Sequence, residues 1–172
     1  MKQPGKAIGS GIAGATIITL IHEALRQFVP QAPRMERIGM QAVEKILNKT
    51  GQPTPKNDNI LYGQALIGDL ISNSAFYGLT AIGKKPWLVG LLAGLGAGIA
   101  AVTLPKPLGL DGENANKTPA TTAMTIGLYT LGGIVAAGVA SLLNEDQEQE
   151  LPKSKGNGIT NIGSNRSWNL KD

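Results

Sequence analysis

The chain has 172 residues, enough for one ordinary domain, and its 16 basic and 12 acidic residues give a formal charge of +4. Only 16% of the residues are charged, against about a quarter in a typical soluble domain, and 23 are glycine. The absence of cysteine excludes disulfides and thiolate metal sites, and the basic residues are not interleaved with aromatic ones, which argues against a nucleic-acid surface. This composition is typical of a membrane protein.

Four apolar segments are predicted to cross the membrane: residues 7–27, 59–83, 86–104 and 118–143. About 20 apolar residues span the hydrocarbon core of a bilayer, and the third and fourth segments reach this length without a charge. The first ends in HEALRQF and the second contains Asp69, so these two need polar residues near their ends or inside a bundle. Lys2 and Lys6 resemble the start of a signal peptide, but no small-x-small cleavage site follows, which favours an uncleaved first helix.

Residues 33–50 are predicted to form an amphipathic helix at the membrane interface or across the end of the bundle. Met35 and Ile38 belong to its apolar face, and most of its charged residues lie opposite. Pro33 suits a first helical position, and Gly51 suits the stop. An ordinary helix packed on the bundle and a lipid-binding helix are equally open interpretations.

The fold class predicted from these segments is all-α, an integral membrane bundle of four transmembrane helices with one amphipathic interfacial helix. This domain comprises residues 1–143. Asn57 or Asp58 can cap the second span, and Thr118 can cap the fourth. The polar residues 144–172 are expected to form a tail that is disordered without a partner.

Small residues recur every four positions in the third and fourth spans, a spacing that lets helices pack closely in lipid, as in a glycine zipper. The residues are Gly90, Gly94, Gly98, Gly132 and Ala136. Packing within one chain is the favoured interpretation, and a face between copies of the chain is the alternative.

Asp69 lies in the apolar stretch ALIGDLISNS, about 17 Å along a helix from Asp58 and about 22 Å from Lys84. These distances place it near the middle of the bilayer, where an aspartate costs at least about 2.5–3.5 kcal/mol and should face protein or water. It either binds a cation or relays a proton, or it holds helices together through hydrogen bonds.

The candidate intramembrane polar or ion site also includes other residues of the first two spans: Asn73, Ser72, Glu23, His22 and Tyr62. Glu23 is the best partner for Arg26 or Arg34. HEALR begins like the zinc-protease motif H-E-x-x-H, but Arg26 replaces the second histidine, so a zinc site is rejected. GSGIAG lacks the strand that a dinucleotide-binding loop needs, and DGENAN lacks EF-hand spacing. No catalytic residue, metal or cofactor is expected.

The segments AIGSGIAGATIITLIHEALR, APRMERIGM, GDLISNS and LPKPLGL, with the spacing of the spans, cover roughly residues 6–143. Over these segments the chain resembles a family of small four-span membrane proteins common in Bacteroidetes genomes, and more loosely the YagU-like inner-membrane proteins. The resemblance implies topology and bacterial origin. It implies no reaction, substrate or site residue.

The expected function is that of a small non-enzymatic membrane protein, a structural or accessory component that self-associates or joins a larger membrane assembly. The alternative is a proton- or cation-conducting channel or carrier centred on Asp69. A less favoured third hypothesis is lipid chemistry near His22, Glu23 and Arg26. The expected partners are the lipid bilayer and a second copy or larger complex. The expected location is the bacterial inner membrane with both termini in the cytoplasm, although the basic residues are nearly balanced between the two sides.

Overall fold

The computed structural model describes residues 3–82 and 84–150, and all regular secondary structure in this part of the chain is helical. The α-helices are α1 (Gln3–Phe28), α2 (Met35–Lys49), α3 (Asp58–Tyr77), α4 (Pro86–Thr103), α5 (Glu113–Asn116) and α6 (Pro119–Glu150). A short 3-10 helix, Gly78–Ala81, follows α3. The all-α class is therefore confirmed.

Three of the described helices are long and apolar enough to cross a membrane. The segments are Pro4–Phe28, Pro86–Thr103 and Pro119–Asn144. They lie in α1, α4 and α6 and correspond to the first, third and fourth predicted spans. These lengths and compositions support an integral membrane protein. Helix α3, which contains most of the second predicted span, is not among them.

The helix ends follow local capping chemistry. The Asn57 side chain accepts a hydrogen bond from the backbone nitrogen of Asn59, and Thr118 Oγ1 accepts one from the nitrogen of Thr121, as helix N-caps do. Gly51, with φ of 71°, follows the end of α2. These three positions agree with the sequence pattern because capping depends on neighbouring residues alone.

Several boundaries differ from the sequence pattern. Helix α2 starts at Met35, and Pro33 is a fully buried linker residue rather than the first residue of the helix. Helix α3 changes to the 3-10 helix after Tyr77, whereas α6 continues to Glu150, beyond the predicted end at residue 143. The rest of the predicted tail, residues 151–172, lies outside the described residues.

The long helices pack in the order α4, α6, α1, α3, successive helices in this order run antiparallel, and α3 also contacts α4 and α6. At one end, Lys6 Nζ donates to Asn144 Oδ1 at 2.7 Å. At the other, Thr121 Oγ1 donates to the carbonyl oxygen of Gln31 at 2.9 Å. We call these the Lys6 end and the Arg26 end of the bundle. Both the beginning of α1 and the Asn144 region of α6 lie at the Lys6 end.

Helices α4 and α6 pack backbone to backbone through glycines. A Cβ added at Gly94 would lie 2.7 Å from the Thr130 Cα, and one added at Gly98 would lie 2.7 Å from the Ile126 Cα. Gly90 meets the backbone of Gly133. The face Gly90, Gly94 and Gly98 is therefore filled by α6 of the same chain.

Helix α6 has two adjacent stripes of small residues, and each serves a different neighbour. Gly132 lies against the Tyr77 ring, and a Cβ added at Gly14 would lie 2.9 Å from the Ala136 Cβ. Gly132 and Ala136 therefore face α1 and α3, whereas Gly133 and Ala137 face α4. The four-residue repeat was recognisable in the sequence, but the partner of each stripe was not.

Helix α2 lies at the Arg26 end between α3 and the loop from α4 to α6. A Cβ added at Gly39 would lie 3.1 Å from the Ala65 Cβ, so α2 approaches α3 closely. On its other side, Lys45 Nζ donates to the carbonyl oxygen of Leu108 at 2.5 Å. Gln41 Oε1 accepts from the Asp111 backbone nitrogen at 2.7 Å. These contacts hold α2 over the inner faces of α1 and α3.

Candidate functional site

A cavity of about 190 Å³ lies between α1, α2 and α3 at the Arg26 end, and Tyr129 of α6 contributes to its wall. We call it the Asp69 cavity. Its polar lining consists of Thr19, His22, Glu23, Glu36, Tyr62 and Asp69. Four residues of the polar site predicted from the sequence, on two different helices, therefore face one space.

His22 fixes the linker between α1 and α2. Its side chain is buried, and Nε2 donates to the carbonyl oxygen of Pro33 at 2.9 Å. A carbonyl oxygen can only accept, so Nε2 carries a proton in this contact. The same nitrogen lies 3.7 Å from Glu36 Oε2, and Nδ1 lies 3.9 Å from Glu23 Oε1. The imidazole therefore separates two carboxylates of the cavity.

Glu23 is paired with Arg26 one turn later on α1. The Arg26 Nη2 and Nε atoms lie 2.6 and 2.7 Å from Glu23 Oε2. The Arg26 guanidinium carbon is also 5.7 Å from the centroid of the Tyr62 ring, within the range of a cation–π contact. Of the two partners predicted for Glu23, the structure selects Arg26, and the contact links the end of α1 to the start of α3.

Glu36, in the first turn of α2, is a site residue that sequence reasoning missed. Its Oε1 lies 3.7 Å from Arg34 Nη1, and its buried Oε2 makes no hydrogen bond with any described residue. The available signal was its position beside Met35, at the border of the apolar face of α2. Its role depends on where α2 packs, which the periodicity of one helix does not specify.

Asp69 lies two turns after Tyr62, further from the Arg26 end. Among the described residues, no basic side chain forms an ion pair with it. Asn73, one turn later on α3, lies near the Asp69 carboxyl, but its buried Nδ2 has no hydrogen bond of acceptable geometry to a described residue. Asp69 is therefore the carboxylate of the cavity without a fixed cationic partner.

The charges around the cavity do not balance. Three carboxylates line it, those of Glu23, Glu36 and Asp69, and the two guanidinium groups beside it belong to Arg26 and Arg34. One negative charge remains when His22 is counted as neutral. Because an uncompensated charge is expensive in a partly buried site, the charge can be balanced by a proton on a carboxylate, by a second proton on His22, or by a bound cation.

A second open space, about 490 Å³ in volume, lies between α3 and α4, and we call it the α3–α4 groove. Ser72 and Asn73, the other two residues of the predicted polar site, line this groove and not the cavity. Met35, Ile38 and Tyr129 line both spaces. The cavity and the groove are therefore adjoining and share these three side chains as a common wall.

Close packing fills the bundle between Asp69 and the Lys6 end. Tyr77 is fully buried, and its Oη donates to the carbonyl oxygen of Tyr129 at 2.8 Å. Gly11 packs directly on the backbone of Ser74, and a Cβ added at Gly78 would lie 2.9 Å from the Ala7 carbonyl oxygen. The space around Asp69 therefore opens towards the Arg26 end and is bounded by packed backbone on the side of the Lys6 end. We call the parts of the bundle on these two sides of Asp69 the Arg26 half and the Lys6 half.

The carboxylates of the cavity do not converge as metal ligands do. Among the described residues, no group of three His, Asp or Glu side chains is arranged so that it could hold a metal ion. Metal ions such as Ca²⁺ need several oxygen ligands at about 2.3–2.6 Å, whereas an organic cation needs only a nearby negative charge and room. The geometry suits a proton or an organic cation better than a metal.

No family model, curated protein or solved structure matches this chain.

Proposed function

We propose that this chain is a non-enzymatic integral membrane protein that binds a cationic group in the Asp69 cavity, from one side of the bilayer. The observation that carries the proposal is that the Asp69 carboxylate has no ion-pair partner in residues 3–82 and 84–150, whereas the other carboxylates of the cavity have arginine partners. A bound cation would balance the remaining charge without a fixed basic residue.

The proposal includes a fourth span, formed by α3. Its 20 residues measure about 30 Å as a helix, the thickness of the hydrocarbon core. Ile60, Ile67 and Ile71 are exposed on its outer side, and Asp69 and Asn73 face inward. An apolar exterior with a polar interior suits a helix surrounded by lipid on one side. The polar side chains of the site, such as Asp69 and Asn73, then explain why α3 is less apolar than the other three long helices.

Helix α2 completes the proposed arrangement as an interfacial helix at the Arg26 end. Glu44, Lys45 and Lys49 are exposed on its outer side, while Ile38 is buried. In this arrangement, the charged face meets the head groups and water, and the apolar face covers the cavity. The Lys6 end then carries the start of α1 and the Asn144 region of α6, and the cytoplasmic location of that end stays a prediction.

Binding is favoured over conduction through the chain. A conducting pathway would need space on both sides of Asp69, and the Lys6 half is occupied by Tyr77 and by the contacts of Gly11 and Gly78. An enzymatic role is less favoured because the His22 nitrogen Nε2 is engaged by the Pro33 carbonyl. The cavity therefore supports binding of a cation better than conduction or catalysis.

The test uses the purified protein in liposomes and a small organic cation, radiolabelled ethylammonium. Saturable binding that Asp69→Asn abolishes, with no ethylammonium or proton flux, is the expected result. Asp58→Asn, which removes an exposed acid from the same helix, is the control and should bind normally. Binding that is equal in the wild type and Asp69→Asn, or flux that depends on Asp69, would contradict the proposal.

A side-specific measurement tests the one-sided access. The chain has no cysteine, so Asp69→Cys introduces a single thiol. A membrane-impermeant thiol reagent should modify it from the Arg26 side only, and Thr80→Cys, at a fully buried position of the Lys6 half, should be unreactive from both sides. Modification of Asp69→Cys from both sides would favour a conducting pathway.

An accessory role in a membrane assembly is the second candidate. A groove of about 540 Å³ between α1 and α3 in the Lys6 half has Ala7, Ser74 and Gly78 among its lining, with Ile8 and Leu79 beside them. Small residues between larger ones suit the docking of another helix in lipid. If copies associate here, Ala75→Leu should lower the dimer fraction measured by single-molecule photobleaching in liposomes, and Gly127→Leu should not. An unchanged dimer fraction, or no dimer in the wild type, would remove this candidate.

A further inference from the structure

The α3–α4 groove reaches the surface of the bundle within the proposed membrane region. Ser72, Phe76 and Gly96 line it and are exposed, so the groove opens sideways between the two helices. Ala97, Ala100 and Ala101 supply much of its α4 wall. Small apolar side chains leave a space that suits an alkyl chain, which can pack against them through many dispersion contacts.

The groove lies directly beside the charged site. Met35, Ile38 and Tyr129 form the wall that it shares with the Asp69 cavity. At the same place, Asn73 is only 8% exposed, and its Nδ2 makes no hydrogen bond of acceptable geometry to a described residue, although the Asp69 carboxyl lies near it. A polar donor without a partner in a buried position costs free energy, so it points to an absent oxygen or nitrogen acceptor.

The cavity side of this wall requires positive charge. Asp69 has no cationic partner, and the buried Oε2 of Glu36 has no hydrogen bond, in each case among the described residues. An anionic head group would meet these carboxylates unfavourably, and the missing convergence of ligands disfavours a metal ion. An ammonium group satisfies both carboxylates because it carries several donors and a positive charge.

We infer that the ligand of the Asp69 cavity is an amphipathic amine that enters from the lipid phase, with its ammonium group at Asp69 and Glu36 and its alkyl chain in the α3–α4 groove. This inference rests on the proposed function, since it specifies the cation that the same cavity binds. A ligand oxygen close to the ammonium group would also accept the free hydrogen bond of Asn73.

The experiment compares three probes in nanodiscs of phosphatidylcholine, with protein-free nanodiscs subtracted. Dodecylammonium has both the charge and the chain, ethylammonium has the charge alone, and dodecanol has the chain alone. With affinity referred to the free amine in water, dodecylammonium should bind saturably and at least about tenfold more tightly than ethylammonium, because even two methylene groups removed from water contribute that much. Dodecanol should show no saturable binding.

Two glycine variants separate the groove from the cavity. A Cβ added at Gly96 meets nothing within 4 Å, so Gly96→Leu fills the groove without disturbing the helix packing. It should weaken dodecylammonium binding several-fold, because the chain loses its packing contacts in the groove, and it should leave ethylammonium binding unchanged. Gly68→Leu is the matched control, since its added Cβ is equally free and Gly68 lines neither space. It should leave both affinities unchanged.

The carboxylate variants test the other half of the ligand. Asp69→Asn should abolish the binding of both amines, and Glu36→Gln should weaken both while keeping the preference for the longer chain.

If ethylammonium binds but dodecylammonium binds no more tightly, or if Gly96→Leu has no effect, the inference fails and the proposed function stands. If Gly96→Leu binds dodecylammonium as tightly as the wild type does, the groove is filled by phospholipid chains or by a second copy of the chain. If neither amine binds, both fail.

Discussion

The Tyr77 hydroxyl donates a hydrogen bond to the backbone carbonyl of Tyr129 at 2.8 Å, and both residues are buried. This bond joins α3 directly to α6, a helix that α3 otherwise contacts much less than it contacts α1. The Tyr77 ring also packs on Gly132, where only a glycine leaves room for it. The two tyrosines form the boundary between the closely packed Lys6 half and the half that contains the cavity and the groove.

Replacing Tyr77 by phenylalanine removes this bond and keeps the ring. We expect a loss of about 0.6–1.7 kcal/mol in the free energy of unfolding, the range measured for hydrogen bonds between helices in lipid. The measurement is reversible unfolding by dodecyl sulfate in mixed micelles. Thr103→Val also removes one hydroxyl, but from an exposed bond within α4, and should change stability much less. Equal effects of the two variants would contradict the importance of the contact between α3 and α6.

Gly94→Ala should destabilise the protein although alanine favours a helix. The new Cβ would lie 2.7 Å from the Thr130 Cα and would force α4 away from α6, at a cost of about 1–3 kcal/mol for overpacking. Gly127→Ala is the matched control, because its Cβ meets nothing within 4 Å and alanine gains up to about 1 kcal/mol in a helix. The same unfolding assay should separate the two variants in opposite directions. If Gly94→Ala is as stable as Gly127→Ala, α4 and α6 are not packed closely enough at Gly94 to exclude a methyl group.

His22→Ala should loosen α2. The change leaves the Pro33 carbonyl oxygen in a buried linker without its donor, which costs about 1–3 kcal/mol. Hydrogen exchange followed by mass spectrometry should show faster exchange in Met35–Lys49 than in the wild type, with α4 unchanged. Gln27→Ala, at an exposed position of α1, should leave the exchange of α2 as it is. If α2 exchanges no faster in His22→Ala than in the wild type, the contacts of Gly39, Gln41 and Lys45 are enough to hold it in place.

The proposed crossing of α3 predicts labelling from opposite sides. Lys56→Cys precedes α3 and Lys84→Cys follows it, and both positions are exposed. In sealed vesicles, a membrane-impermeant thiol reagent added outside should modify only one of these two variants, and it should modify the other after the membrane is opened. Modification of both from the same side would show that α3 does not cross the bilayer and would remove the fourth span.

The local features of the fold were predictable because they depend on neighbouring residues. Asn57 and Thr118 bond the first backbone nitrogens of their own helices, and Gly51 takes the positive φ that follows α2. The apolar lengths of α1, α4 and α6 follow in the same way from the thickness of a bilayer. The end of α3 at Tyr77 was not predictable, since Gly78 packs on Ala7 from another helix.

The candidate site was predictable only in part. His22, Glu23, Tyr62 and Asp69 were recognisable as polar residues in apolar surroundings, and they line one cavity. The tertiary structure places Ser72 and Asn73 in the groove next to this cavity, with Asn73 near the Asp69 carboxyl. A stripe of polar residues in a sequence shows which side chains share one face of a helix. It does not show which neighbouring helices pack on that face and so separate it into two spaces.

The sequence by itself determined that this is a helical membrane protein, because long uncharged apolar stretches satisfy their backbone groups in lipid only as helices. It also determined that Asp69 had to face protein or water, since lipid cannot solvate a carboxyl. Only the tertiary structure decided that Glu23 would be neutralised by Arg26 and that Glu36 would join Asp69 from α2. The physical reason is that pairing depends on distances between helices. Close packing of small residues such as Gly39 and Ala65 sets these distances, and the same spacing in a sequence is compatible with several different neighbours.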